Sequence, residues 1–123
     1  MEIVPLVVTT NAAGAGTVTA GRSVRADTPR ALFAVEWVDG TFEDGVDAVL
    51  STTNTLSGVD LTLLTLTNAD DDAWYYPRRA ACDGTVGALT HYELPVINGD
   101  LRLVVSSGGS VTTGGAYLYL TEA

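Results

Sequence analysis

Lysine is absent from this chain, and cysteine and histidine occur once each, as Cys82 and His91. A single cysteine allows no internal disulfide, so packing alone must hold the fold. One Cys and one His supply two of the four ligands that a zinc centre usually takes, which argues against zinc. As a general base, His91 would need a nucleophile and an orienting acid, yet no Gly-x-Ser-x-Gly elbow or Ser-x-x-Lys pair accompanies it. His91 therefore reads as a strand residue on a polar face or at a subunit contact. Cys82 follows Arg79-Ala80-Ala81, and nearby arginine can lower a thiol pKa. It lacks a protease-like context and reads as a small hydrophobe.

Long apolar runs are missing too. None approaches the roughly 20 residues that cross a bilayer as a helix, so the chain is expected to be soluble. Met1 to Val8 has no basic leader-like region and carries an acid at position 2, and it reads as the first strand of a protein made in the cytoplasm. Helical periodicity is equally scarce. Glycine or β-branched residues interrupt every window much beyond ten residues, which confines helix to a turn at most.

Positive charge is the last deficit. Six arginines face fifteen acids, for a formal net charge of −9. Such a chain repels polyanions, which argues against nucleic-acid binding. The same charge helps to keep monomers apart before assembly.

What the sequence does have is period-two patterning broken by turn residues every 8 to 15 positions or so, the spacing of a sandwich or barrel. Strands are expected at Ile3–Thr10, Thr17–Arg25, Ala31–Val38, Val46–Thr52, Val59–Leu66, Ala88–Leu94, Leu101–Ser106 and Ala116–Thr121, with a weaker one around Trp74-Tyr75-Tyr76. The expected fold is thus all-β: one antiparallel β-sandwich domain over residues 1–123, with eight or nine strands. Within it, Leu101, Leu103 and Val105 should share one face, opposite Arg102 and Val104. Ala116, Leu118 and Leu120 should lie opposite Tyr117 and Tyr119, and Phe33, Val35 and Trp37 should share a face. Asn98-Gly99 is the strongest hairpin signal, since both residues tolerate the positive φ of a type I′ turn. Gly108-Gly109 and Gly114-Gly115 read as further breaks between strands, and Asp83-Gly84 as a turn. The adjacent Leu63 and Leu64 break alternation, as a β-bulge or burial of both strand faces would. Pro5 and Pro95 should lie on an edge, at a strand start or at a bulge.

Two clusters invite functional readings. Asp70-Asp71-Asp72 groups carboxylates suited to a hard cation, but it lacks the alternating acids, glycine and distal glutamate of an EF-hand loop. It reads as a solvated turn, as do Glu43-Asp44 and Asp47. Trp74-Tyr75-Tyr76-Pro77-Arg78-Arg79 concentrates aromatics and arginines, the residue types that interface centres select. Trp74, Tyr75, Tyr76, Arg78 and Arg79 are therefore the candidate partner-contact residues. Core packing before a proline-fixed turn is the competing account of Trp74 and one tyrosine. Catalytic residues, metal ligands and cofactors are not expected.

The C-terminal half also resembles small all-β virion structural proteins of tailed bacteriophages, of the head cement or decoration type. The resemblance lies in Tyr75-Tyr76-Pro77, the Asp83-Gly84 turn, Leu94 to Val105, and the glycine-rich turns that lead into Ala116-Tyr117-Leu118-Tyr119-Leu120. It implies a jelly-roll-like sandwich that oligomerises, as a dimer or trimer, on a virion assembled in the host cytoplasm. The implied partner is a major capsid protein or another virion protein, in head, neck or tail, and no membrane or nucleic acid is implied. The alternative is a β-sandwich module for carbohydrate or a host surface, with Trp74, Tyr75 and Tyr76 as a stacking platform. A cupin-like enzyme would share the architecture but needs several metal-binding histidines.

Overall fold

The computed structural model describes residues 1–20, 30–54, 57–82 and 88–122, with 80–82 and 88–91 described as backbone. It is all-β, with no helix among the described residues. The strands are β1 (Glu2–Thr9), β2 (Gly16–Ala20), β3 (Arg30–Val38), β4 (Asp47–Asn54), β5 (Asp60–Leu66), β6 (Ala73–Tyr75), β7 (Arg79–Cys82), β8 (Ala88–Glu93), β9 (Val96–Ile97), β10 (Gly99–Ser106) and β11 (Thr113–Glu122). Sheet A has the order β1-β11-β3-β6, with β9 also pairing β3, and sheet B has the order β2-β10-β4-β5. Every pairing is antiparallel.

The pairing is nested. β1 pairs β11, β2 pairs β10, β3 pairs β6 and β4 pairs β5, as if one long hairpin had been rolled into two sheets. β7 and β8 form a separate two-stranded ladder. The Arg79–Cys82 segment was not expected as a strand, because its small residues carry no alternation.

The alternation expected of β10 and β11 is present. Leu101, Leu103 and Val105 are buried, as are Ala116, Leu118 and Leu120. They meet Leu6, Leu32, Val35 and Leu50 in a single core. Trp37 closes one end of it, stacked on Phe42 at 5.7 Å and donating from Nε1 to Ala69 O at 3.0 Å. The slip in β5 is a bulge: the register passes from Leu50↔Leu64 to Ser51↔Thr62, which leaves Leu63 as the extra residue. Both Leu63 and Leu64 pack against the core. Pro5 lies in β1, an edge strand with one partner.

Three expectations fail for identifiable reasons. Asn98-Gly99 is not a type I′ hairpin. Val96 and Ile97 are held by β3 in sheet A while Gly99 already begins β10 in sheet B, so Asn98 turns the chain from one sheet to the other, and neither residue has positive φ. Gly114-Gly115 is not a turn either, since both lie inside β11. Their lack of a side chain lets neighbouring chain come close: a Cβ on Gly115 would collide with Leu6 O, and one on Gly114 would sit 2.6 Å from Asp39 O.

Phe33 does not share a face with Val35 and Trp37. The register passes from Ala34↔Tyr119 to Leu32↔Leu120, so Phe33 is the extra residue of a bulge and is 42% exposed. Leu32 takes the core position instead. The Gly21–Arg25 end of the expected second strand and the Asp83-Gly84 turn lie outside the described residues.

Candidate contact surface

Antiparallel sheets that cover a core usually present polar residues on their outer side. Sheet B does so. Thr17, Thr19, Thr53, Thr62 and Thr65 alternate with buried or half-buried residues around one partly exposed apolar pair, Val49 and Val104, and Thr53 and Arg102 both bond Asp60. Those bonds, the one from Thr53 foremost, hold the Asp60 carboxyl below the usual carboxylate range.

Sheet A does the opposite. Its ladders align Ile3 with Tyr119 and Ala34, then Pro5 with Tyr117, Glu36 and Trp74, then Val7 with Gly115 and Val38. Cross-strand neighbours point to the same side, so these rows form one surface. Ile3 is 55% exposed, Val7 47% and Trp74 50%. The Trp74 and Tyr119 rings lie 5.2 Å apart. Ala34, cross-strand from Tyr119, is buried although it belongs to this side.

Glu36 is the described carboxylate inside this surface, and it accepts a hydrogen bond from the Tyr119 hydroxyl at 3.2 Å. Burial, and then this bond to Glu36, pushes the Tyr119 phenol above its ordinary value. A carboxylate that would otherwise break the apolar surface is thereby given a donor.

The expected contact residues divide. Trp74 and Tyr76 face solvent, Tyr76 at 56% exposure, while Tyr75 turns inward against the core opposite Val35. Tyr76 meets Phe33 edge-on at 6.4 Å. Arg78 lies over the Phe33 ring, 5.9 Å from its centroid, and donates through Nη1 to Phe33 O at 3.1 Å and Pro77 O at 2.7 Å. Arg78 thus ties the bulge to the β6–β7 connection. Arg79 opens β7 in register with Glu93 of β8 and is exposed. It has no ion pair or side-chain hydrogen bond among the described residues.

Sequence reasoning located the Trp74 segment and missed Ile3, Pro5, Val7, Tyr117 and Tyr119 as its neighbours. Their signal was present. Ile3 to Val8 is apolar at every position, which marks a strand covered on both faces.

Three acids, two in the β5–β6 turn and one at the start of β4, accept from the backbone. Asp70 accepts from Gly45 N at 2.6 Å, Asp72 from Asp39 N at 2.8 Å and Asp47 from Asn68 N at 3.0 Å. Burial, and then Asp70, Asp72, Asp44 and Asp71, pushes the Asp39 carboxyl up. No cluster of His, Cys, Asp or Glu suited to a metal ion occurs among the described residues. The side chains of His91 and Cys82 lie outside the described ones. An open cleft of ≈650 Å³ runs between the β4–β5 end and β9, lined by Thr52, Asn54, Asp60, Val96 and Asn98 among others. Its carboxylate is already held by Thr53 and Arg102.

No known protein family matches the chain, and no curated protein does. The surface therefore stands on its own geometry.

Proposed function

We propose that this chain is a non-enzymatic structural subunit that works through protein–protein contact, with the outer side of sheet A as its working surface. The observation that carries the reading is the solvent-facing set of Ile3, Val7, Phe33, Trp74 and Tyr76. A contiguous apolar patch on a charged protein is a binding surface or an aggregation hazard. The charge of −9 keeps copies soluble while the patch waits for its partner.

In its fuller form, the proposal is a jelly-roll-like capsid cement or decoration subunit of a tailed-phage virion, made in the host cytoplasm and acting as a homo-oligomer on a major capsid protein. The nested strand pairing supports the jelly-roll reading. Affinity would then accumulate over repeated lattice contacts. The test is co-sedimentation of the purified chain with particles assembled without it. Saturable binding that weakens at least tenfold in Trp74→Ala/Tyr76→Ala supports the reading, and binding indifferent to both changes overturns it.

A second reading has one observation in its favour. Trp74 in β6 and Tyr76, the residue just past its end, both expose their rings, as rings that stack on a glycan would. With Tyr75 turned inward, this platform has two rings instead of three. Saturable quenching of tryptophan emission by an oligosaccharide would favour it over the first.

A further inference from the structure

Sheet A's outer surface has an occupant that its own composition selects, and the argument rests on the contact reading above. Three properties of the surface bear on what covers it.

Charge is the first. The chain carries −9 overall, so copies repel one another across most approaches. Sheet B brings Asp60 and Asp100 outward, and the β3–β4 and β5–β6 turns bring Asp44, Asp71 and Asp72. Within the rows of sheet A the described charge is Glu36, already bonded to Tyr119, and beside the rows Arg78 lies over Phe33, so the surface itself is close to neutral. Two copies that meet through this side keep their acids on the outside of the pair. A strongly basic partner would find little here to pair with, so the surface favours a neutral apolar counterpart, and the same surface of another copy is one.

Area is the second. Aromatic side chains present about 150–250 Å² each when fully open. At the exposures of Phe33, Trp74 and Tyr76, together with Ile3, Pro5 and Val7, each copy can offer on the order of 600 Å². Specific interfaces bury about 800 Å² per partner. The pair lies near the low end of that class, and so should dissociate on dilution.

Shape is the third. Two sheets pack face to face about 10 Å apart when their side chains interdigitate. Pro5 is a low exposed position between Ile3 and Val7 in β1 and beside Tyr117, so the surface has relief where Gly115 and Ala34 are already covered. A two-fold axis sets the same patch of each copy against the other, so relief of this kind can interlock with itself.

We propose that two copies of this chain pair through the outer sides of their sheets A, with Trp74 and the Ile3–Val7 row in the contact. The contact closes at two, since the described residues of each copy form one such surface.

The test is sedimentation velocity of the full chain across about 1 to 300 μM. The proposal expects a concentration-dependent shift from a 12.8 kDa species to one of twice that mass. Ile3→Asp and Trp74→Asp, made separately, should each weaken pairing at least tenfold. Val104→Asp, on the outer side of sheet B at 38% exposure, should leave it unchanged. Two positions on different strands guard against one variant that fails to fold, and circular dichroism checks each.

A monomer at every concentration overturns the proposal, as does a dimer untouched by Ile3→Asp and Trp74→Asp, or a trimer. A monomer that still loses particle binding through Trp74→Asp removes the self-pairing and leaves the contact reading standing. Particle binding that ignores Trp74→Asp removes the contact reading itself.

Discussion

Leu103→Ala should cost this fold about 3 to 4 kcal/mol. Leu103 is 1% exposed at the centre of β10, in register with Val18 of β2 on one side and Leu50 of β4 on the other. Truncation removes three carbon groups from an apolar site, a transfer loss of about 0.8 kcal/mol each. The cavity adds about 24 cal/mol per Å³, so on the order of 50 Å³ left unfilled contributes roughly another 1.2 kcal/mol. Collapse is limited here, because strands on both sides fix the backbone and Leu103 already borders a small void of ≈10 Å³ beside Val35, Leu64 and Ala116. Urea titration followed by the emission of buried Trp37 gives the loss as a midpoint shift at constant slope. Val104→Ala, one residue along and facing out, is the control and should cost under about 1 kcal/mol. A loss below about 1 kcal/mol for Leu103→Ala, or one equal to the control, would refute the packing argument.

Gly115→Ala should lower the thermal midpoint far more than Ala116→Gly, because its Cβ meets backbone of β1, which cannot yield. Equal midpoints in calorimetry would contradict the close approach of β1 and β11. Asp39→Asn should stabilise the protein at pH 7. The folded pKa of Asp39 is raised above 3.8, so the charged form is penalised, and that penalty is present above the folded pKa and gone below the unfolded one. The gain over wild type in urea midpoint should therefore vanish as pH falls towards 3.8, and a gain that grows on acidification would reverse the sign. Arg78→Ala should destabilise by about 0.5 to 1 kcal/mol by releasing the exposed Phe33 carbonyl bond, while Arg79→Ala should change folding stability by less than about 0.5 kcal/mol. Matching losses in denaturation would show that Arg79 serves the fold as Arg78 does.

Period-two alternation made β10 and β11 legible, because Leu101, Leu103 and Val105 alternate with polar or exposed neighbours. It failed in β3, where Ala31 to Val35 is apolar throughout and no pattern can reveal which residue a bulge expels. Phe33 was the one expelled. Asn98-Gly99 misled because turn chemistry reports a change of direction and cannot say whether the chain returns to the same sheet or crosses to the other. That choice is made by β9 docking on β3, a long-range pairing.

The contact surface was half legible for a related reason. Trp74 to Arg79 is a dense local cluster, whereas Ile3, Pro5, Tyr117 and Trp74 become neighbours only when β1, β11, β3 and β6 assemble. The continuous apolar character of β1 hinted at two covered faces. It did not say that, as proposed, one of the covers comes from outside the chain.

The chain has two tryptophans, and they report separately: Trp37 is fully buried in the core, while Trp74 is half exposed on the proposed contact. Acrylamide quenching of the isolated subunit and of its assembled state tests the central claim most directly. The account predicts that the quenchable fraction of the emission is lost on assembly as Trp74 is covered, with Trp37 protected throughout. Assembly that leaves Trp74 as quenchable as in the free subunit would contradict it.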